Sequence, residues 1–375
     1  MSFLGKLKSA ARRALAASLG GMLRSLPLSA WKSLAPKDAV GLCYHMVSEK
    51  PLPHLRHYPF LTPAEFEADL AYVEKQFGFL SYDELIRRRA HGRGNTVRGN
   101  KAILTFDDGF AECAQIVAPI LKRKGIPAVF FLITDLIDNK IVFRESMASL
   151  CIQAMLAMPI GEARAAAAEL GIHPNPEKRA ASGWVPLEVA FSGAKPDPRL
   201  WPLLHWLLTV APDDVPLMER LCARLGVDAR AYVEKTRPYL SREQARRLAA
   251  DGFTLGAHSL SHRRLQSLAP EEAEREIAES CRLVAEITGQ ASVPFAFPYF
   301  GGDMDRGWLK TLRARHAAIG LFFDTDGLRE DAPFVVQRVF SERVGRDKSL
   351  DRILRRAWAR PSAWMPGKSR AGFRS

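Results

Sequence analysis

Short apolar runs recur along this chain, separated by helix-length segments of mixed polarity. They are Ala39 to His45, Ala102 to Phe106, Ala128 to Ile133, Thr254 to Ala257 and Val293 to Phe297, with two more at 318–323 and 333–340. A strand without polar alternation is buried on both faces. Strands of that kind joined through helices pair in parallel, because each helix returns the chain to the same edge. The expected class is α/β, and the number of strand–helix repeats favours a barrel over an open sheet.

The connecting segments carry helix signals. Thr62-Pro-Ala-Glu65 is a capping box with Pro at the first helical position, followed by Phe66, Leu70, Val73 and Phe77 at helical spacing. Ser81 to Glu84 and Ser241 to Gln244 open helices in the same way. Further helices are expected over about 112–124, Pro270 to about Thr288, and 306–316, with a loop from Gly92 to Gly99. Residues about 144–238 break the rhythm. They are rich in Ala and Leu, with helical pattern over 145–158, 161–170, 199–210 and 213–225, and read as a helical insertion.

Charge marks out the ends. The formal net charge is +13, of which residues 1–40 and residues 349–375 carry +6 each, leaving +1 for the 308 residues between. So neutral a body argues against a nucleic-acid groove. In the N-terminal segment Arg12, Arg13 and Arg24 interrupt every apolar run, so it fits neither a signal peptide nor a bilayer span. Phe3, Leu4, Leu7, Ala11, Leu15, Leu19, Met22 and Leu23 instead suggest a basic amphipathic helix, lying on an anionic membrane surface or packed on its own domain. The tail (Arg355, Arg356, Trp358, Arg360, Trp364) has similar character, but Pro361 and Pro366 oppose a continuous helix. The expected layout is a basic segment 1–37, a catalytic domain 38–345 and a basic tail 346–375. With no evident export signal the expected location is the cytoplasm, at the inner membrane face. Five scattered cysteines without a CxxC read as inert thiols.

Two clusters carry chemistry. In Thr105-Phe-Asp-Asp-Gly109 adjacent carboxylates end a strand, a costly arrangement unless a cation or proton is shared. Strand alternation would face them apart, and a turn at Gly109 would bring both toward one cavity. In His258-Ser-Leu-Ser-His262 the two imidazoles stand at i and i+4 and converge if the segment turns helically. One Asp with two His makes the three-ligand set of an open metal site.

TFDDG (105–109), HSLSH (258–262) and FAFPY (295–299), in that order, resemble the polysaccharide deacetylases, a carbohydrate esterase family of NodB-like fold. LCYH (42–45), residues 60–85 and residues 278–289 extend the resemblance, which covers roughly 40–340 apart from the insertion and lies nearest the subgroup with YH and PY motifs. It implies a distorted (β/α)7-type barrel with the site at the strands' C-terminal face. Asp108, His258 and His262 would be ligands to zinc or a similar divalent ion, Asp107 the general base, and the backbone N–H of Tyr299 the oxyanion donor, with Pro298 and Tyr299 against the substrate. The chemistry implied is removal of N- or O-acetyl groups from a carbohydrate. Three features depart from the family pattern. Phe295 to Phe297 replaces the segment that often carries a base-orienting Arg, which points to Arg338 as the substitute. No late LxH motif supplies an acid, which points to His45 for that role or for a substrate contact; His316 falls on an expected helix and reads as exposed. Phe300 interrupts the usual PYG and implies a reshaped loop. A catalytically weak carbohydrate-binding protein and an amidase on a non-sugar substrate are the alternatives; only a hydrolase needs a non-ligand base.

Overall fold

The computed structural model describes residues 39–90, 101–173, 197–210, 215–328, 331–342 and 349–358. The basic segment 1–37, the loop Gly92 to Gly99, and Arg360, Pro361, Trp364 and Pro366 of the tail lie outside them.

Seven strands form a closed parallel barrel in sequence order: β1 Ala39–Tyr44, β2 Lys101–Phe106, β3 Ala128–Leu132, β4 Thr254–Ala257, β5 Val293–Ala296, β6 Ile319–Asp324 and β7 Val335–Phe340. Every strand is buried along nearly its whole length, as the uninterrupted apolar runs require. Side chains alternate across each strand. Ile103, Val129, Phe131, Ala296, Leu321, Phe323 and Val336 fill the barrel interior with Leu80, Tyr82 and Leu85 beneath them. The opposite faces, among them Leu104, Phe106, Phe130, Leu255 and Phe322, pack against the surrounding helices.

Closure brings β1 against β7, with Gly41 opposite Arg338. A Cβ on Gly41 would lie 2.4 Å from the Gln337 carbonyl oxygen and 2.7 Å from Arg338 Cγ. Only glycine lets the Arg338 side chain cross there into the barrel.

The helices follow in chain order: α1 Pro63–Gln76, α2 Tyr82–Ala90, α3 Ala118–Lys124, α4 Arg144–Leu156, α5 Ile160–Glu169, α6 Trp201–Thr209, α7 Val215–Arg224, α8 Ala229–Thr236, α9 Arg242–Ala250, α10 Pro270–Thr288, α11 Arg306–Arg315 and α12 Leu350–Trp358. The capping boxes at Thr62/Glu65 and Ser241/Gln244 are both formed. A π-helical turn, Cys113–Val117, precedes α3. Pro119 lacks the N–H that would close the preceding α turn, consistent with that widening. Gly125 then ends α3 in a left-handed cap, φ +64°.

Helices α4 to α8 form the insertion between β3 and β4. It has its own core, with Cys151, Ile152, Leu203, Leu207, Met218 and Leu221 at its centre. One sequence expectation fails here: Cys151 and Cys222 are disulfide-bonded, their Cα atoms 5.5 Å apart. Packing of α4 on α7 brings together residues 71 positions apart, a proximity invisible to spacing rules. Cys43, Cys113 and Cys281 remain buried thiols.

Helix α12 absorbs the start of the basic tail. Leu350, Leu354, Ala357 and Trp358 are buried, with the Trp358 ring 6.2 Å from that of Phe77, while Arg355 pairs with Asp351 at 2.7 Å. Among the described residues no helix is long and apolar enough to cross a membrane.

Gly41→Ala is expected to lose about 1–3 kcal/mol through overpacking. Gly161→Ala, near the start of α5 with nothing within 4 Å of an added Cβ, should gain roughly 0.5–1 kcal/mol. Urea unfolding of the two variants beside the wild type checks both signs.

Candidate active site

The site grows out of the inner faces of β1, β2 and β7. On β2, Ile103, Thr105 and Asp107 share the interior face by two-residue alternation. Asp107 stays in register, its N–H donating to the Tyr44 carbonyl at 2.9 Å. The next residue breaks the alternation. Asp108 has φ +73° and Gly109 φ +72°, so the turn starts one residue earlier than the sequence suggested, and Asp108 meets the histidines of the β4 loop.

Asp107 is held from β7. Arg338 Nη1 donates to Asp107 Oδ1 at 2.7 Å and Nη2 to Oδ2 at 2.9 Å, a two-point guanidinium–carboxylate pair. Nη1 also donates to Thr105 Oγ1 at 2.8 Å, and that hydroxyl donates to the Leu42 carbonyl at 2.9 Å. The guanidinium, fully buried, lies 5.2 Å from the Phe131 ring centroid and 5.8 Å from that of Phe323. Burial opposes ionisation of Asp107, but the Arg338 charge, helped by His258 and His45, outweighs it and holds the carboxyl far below the usual range. Cys43, 3.4 Å from Asp107 Oδ2, is a thiol that burial pushes up.

Asp108, His258 and His262 converge, their candidate ligand atoms all within 4.8 Å of one another. His258 Nε2 lies 3.4 Å and His262 Nε2 3.5 Å from Asp108 Oδ1. The convergence does not come from a helical turn. Ser259 (φ +65°) and His262 (φ +61°) adopt left-handed backbone. Ser259 Oγ accepts from the His262 N–H at 2.8 Å, and buried Glu276 on α10 accepts from the N–H groups of Leu260 and Ser261 at 2.9 and 3.0 Å.

The trio fits a divalent cation. Neither oxygen of Asp108 accepts a hydrogen bond among the described residues, although the side chain is buried. Such a group is costly unless something else neutralises it. His258 Nδ1 lies 2.9 Å from the Ala296 carbonyl, which only accepts, so Nδ1 carries a proton and Nε2 is the nitrogen turned toward Asp108. Two donors each about 2.1 Å from one ion at the tetrahedral angle stand roughly 3.4 Å apart, which matches the spacing here.

His45, at the end of β1, is backed by Glu342, whose Oε1 is 3.0 Å from Nδ1 and also accepts from the His45 N–H. Burial pulls His45 down, but the Glu342 charge, then Asp108 and Asp107, push it up to about 9. Its ring stacks on Phe340, which is 41% exposed at the end of β7. Tyr299 has φ +62°, and Thr325 Oγ1 donates to its carbonyl at 2.7 Å. Asp324 accepts from the Gly301 N–H at 2.7 Å, and Arg306 donates to the Gly301 carbonyl at 2.7 Å, so the loop carrying the extra Phe300 is pinned at both ends. Pro298 is buried beneath it. His316 ends α11, half-buried, its Nε2 2.7 Å from Glu274.

Several residues at the site escaped sequence reasoning. Glu145, at the start of α4, accepts from the Tyr299 hydroxyl at 2.8 Å and pairs with Arg144; Arg144 also donates to that hydroxyl at 2.8 Å. Burial works against the Glu145 charge, yet Arg144, with His262 and Tyr299, holds it down at about 2. Buried Tyr58 has its phenol raised by burial and by the Asp108 and Glu145 carboxylates. Only Glu276 left a trace in the sequence, as an acid on the apolar stripe of α10 between Ala273 and Ile277.

The family model described as polysaccharide deacetylase matches residues 94–172 and 215–320. Among solved structures, the Streptococcus pyogenes deacetylase PplD in complex with acetate is similar at 14% identity and a TM-score of 0.50, over 86% of this chain and 99% of that one. IcaB from Ammonifex degensii is similar at 17% identity and a TM-score of 0.47, over 87% and 98%. The BpsB deacetylase domain from Bordetella bronchiseptica gives 15% and 0.42, over 82% and 97%. The first of these likenesses supports the barrel fold.

Arg338→Met would strand the Asp107 charge and is expected to cost about 3–5 kcal/mol. Arg338→Met/Asp107→Asn should recover much of that loss. Because the folded pKa of Asp107 is depressed, its contribution is present above the unfolded value near 3.9 and is lost as pH falls toward the folded one. Urea unfolding from pH 7 down to 3 should therefore show the wild-type advantage over the double variant shrinking below about pH 4.

Proposed function

Since the chain belongs to the polysaccharide deacetylase family, we propose that it hydrolyses N- or O-acetyl groups on a glycan, with a divalent cation, zinc or similar, held by Asp108, His258 and His262 and with Asp107 as the base. The observation that carries this reading is the contrast between two neighbouring carboxylates. Asp107 is neutralised by a permanent cation from β7, whereas Asp108, equally buried, faces two imidazole nitrogens and accepts no hydrogen bond among the described residues.

A cation in that trio would polarise the acetyl carbonyl and acidify a neighbouring water, which a base held as low as Asp107 requires before it can take a proton. Arg338 fixes the Asp107 carboxylate plane, and with Cys43 also donating to Oδ2 the lone pair left for that water is on Oδ1. The water oxygen bonds to the carbonyl carbon as Asp107 takes its proton. Negative charge then develops on the carbonyl oxygen, and the Tyr299 N–H is the donor assigned to it. The C–N or C–O bond breaks to give acetate, and the departing nitrogen or oxygen needs a proton. His45, raised to about 9, carries one at neutral pH and is the assigned acid, with Glu342 orienting its ring. Phe340, exposed and stacked on His45, offers an apolar face to a sugar ring.

Acetate release from a panel of N- and O-acetylated glycans, with and without chelator, tests the reading. Activity should vanish with chelator and return with added divalent ion. Asp107→Asn should retain metal and lose about 10²–10⁴ in kcat, whereas His258→Ala should lose the metal itself. Full activity in Asp107→Asn would sink the base assignment. In kcat/KM against pH, the wild type should lose activity on the alkaline side as His45 gives up its proton. His45→Gln should be slow throughout and lack that limb.

A further inference from the structure

On the reading that Asp108, His258 and His262 hold a divalent cation, we propose that Glu145, supplied by the helical insertion, orients His262 and so makes the insertion part of the metal site. An imidazole that binds a cation through Nε2 carries its proton on Nδ1, and in a buried site that N–H needs an acceptor. His258 has one in the Ala296 carbonyl. His262 Nδ1 is buried and has no hydrogen-bond partner among the described residues. The carboxylate facing it is Glu145, whose Oε1 lies 3.7 Å away. Glu145 is itself 7% exposed, and its other oxygen, Oε2, is likewise buried without a partner. The buried Nδ1 thus faces, just beyond hydrogen-bond length, a carboxylate whose Oε1 is already engaged and whose Oε2 is unused, and a side-chain rotation that turns Oε2 toward the ring closes the gap.

The neighbouring residues serve the same ring. Phe143 packs edge-on against His262 with centroids 5.3 Å apart, and the Tyr299 ring lies 4.9 Å away. The Tyr299 hydroxyl and Arg144 both donate to Glu145 and hold it in place. These contacts come from the first turn of α4, the helix whose Cys151 is bonded to Cys222 of α7. Glu145 faces His262 at Nδ1, away from the Nε2 turned toward Asp108, so it is a positioning residue. Through it the insertion acts on the affinity and geometry of the centre.

The test uses the full chain, stripped of metal and titrated with Co²⁺, whose visible spectrum reports ligand geometry. Glu145→Ala is expected to weaken Co²⁺ binding about 10–100-fold and to alter the spectrum, with partial recovery in Glu145→Asp. Arg144→Met, which keeps the carboxylate but removes one of the two groups that hold it, should weaken Co²⁺ binding less than Glu145→Ala does. Since Glu145→Ala leaves Arg144 without its partner, Arg144→Met/Glu145→Met removes both charges together and should also bind weakly. Wild-type affinity and spectrum in that folded double variant would overturn the proposal alone. If the wild type fails to take up one equivalent of Co²⁺, the metal reading falls and this inference falls with it.

Discussion

The two-point contact between Arg338 and Asp107 is the interaction on which the rest of the site depends. It spans the seam where β7 closes the barrel on β1, and it passes through the space left by Gly41. A fully buried guanidinium is tolerable only when its donors are used. Here they reach Asp107 and Thr105, and the aromatic rings of Phe131 and Phe323 line the remainder. Below this level the described interior is apolar apart from the Tyr82 hydroxyl, which accepts from the Leu321 N–H, and above it come Asp107, Asp108 and His45. The pair therefore sits at the boundary between the core that stabilises the barrel and the polar groups of the candidate site.

Above that boundary the backbone is strained and the strain is locally supported. Asp108, Ser259, His262 and Tyr299 are four of the seven described non-glycine residues at positive φ. Such conformations cost about 1–3 kcal/mol each and persist only where surrounding contacts over-determine them. Glu276 ties down the HSLSH turn, and Thr325 and Asp324 hold the Tyr299–Gly301 loop. The donors that matter are thus fixed by residues on α10 and β6 that touch no substrate.

Much of the architecture was legible in the sequence because burial on both faces leaves an unambiguous mark. Each of the seven strands falls within a residue or two of its apolar run, and the capped helices start where the capping boxes stand. Arg338 of the last strand was also readable as a candidate partner for Asp107, and the two side chains do pair. What stayed hidden depended on proximity across long separations. Glu145 meets His262 and Tyr299 only once the insertion docks on the barrel mouth. Cys151 and Cys222 meet for the same reason, and nothing in their spacing announced it. The histidine pair was found by a correct residue count and a wrong geometry, because i and i+4 converge here through two left-handed residues and not through a helix.

Two adjacent buried carboxylates cannot both stay ionised without compensating charge, and the fold answers this differently for each. For Asp107 the compensation is covalently part of the chain, and the Arg338 charge holds it ionised against burial. For Asp108 the facing groups are imidazoles, and His258 turns toward it the nitrogen opposite its Nδ1–H. An ionised Asp108 there is compensated only by a proton or a metal cation shared with those nitrogens. A proton would satisfy one pair of atoms, whereas two imidazole nitrogens stand almost equally far from Asp108 Oδ1, at 3.4 and 3.5 Å, as sharing one cation requires. On the proposed function, the difference between a permanent guanidinium and an exchangeable cation would separate two identical side chains into base and ligand.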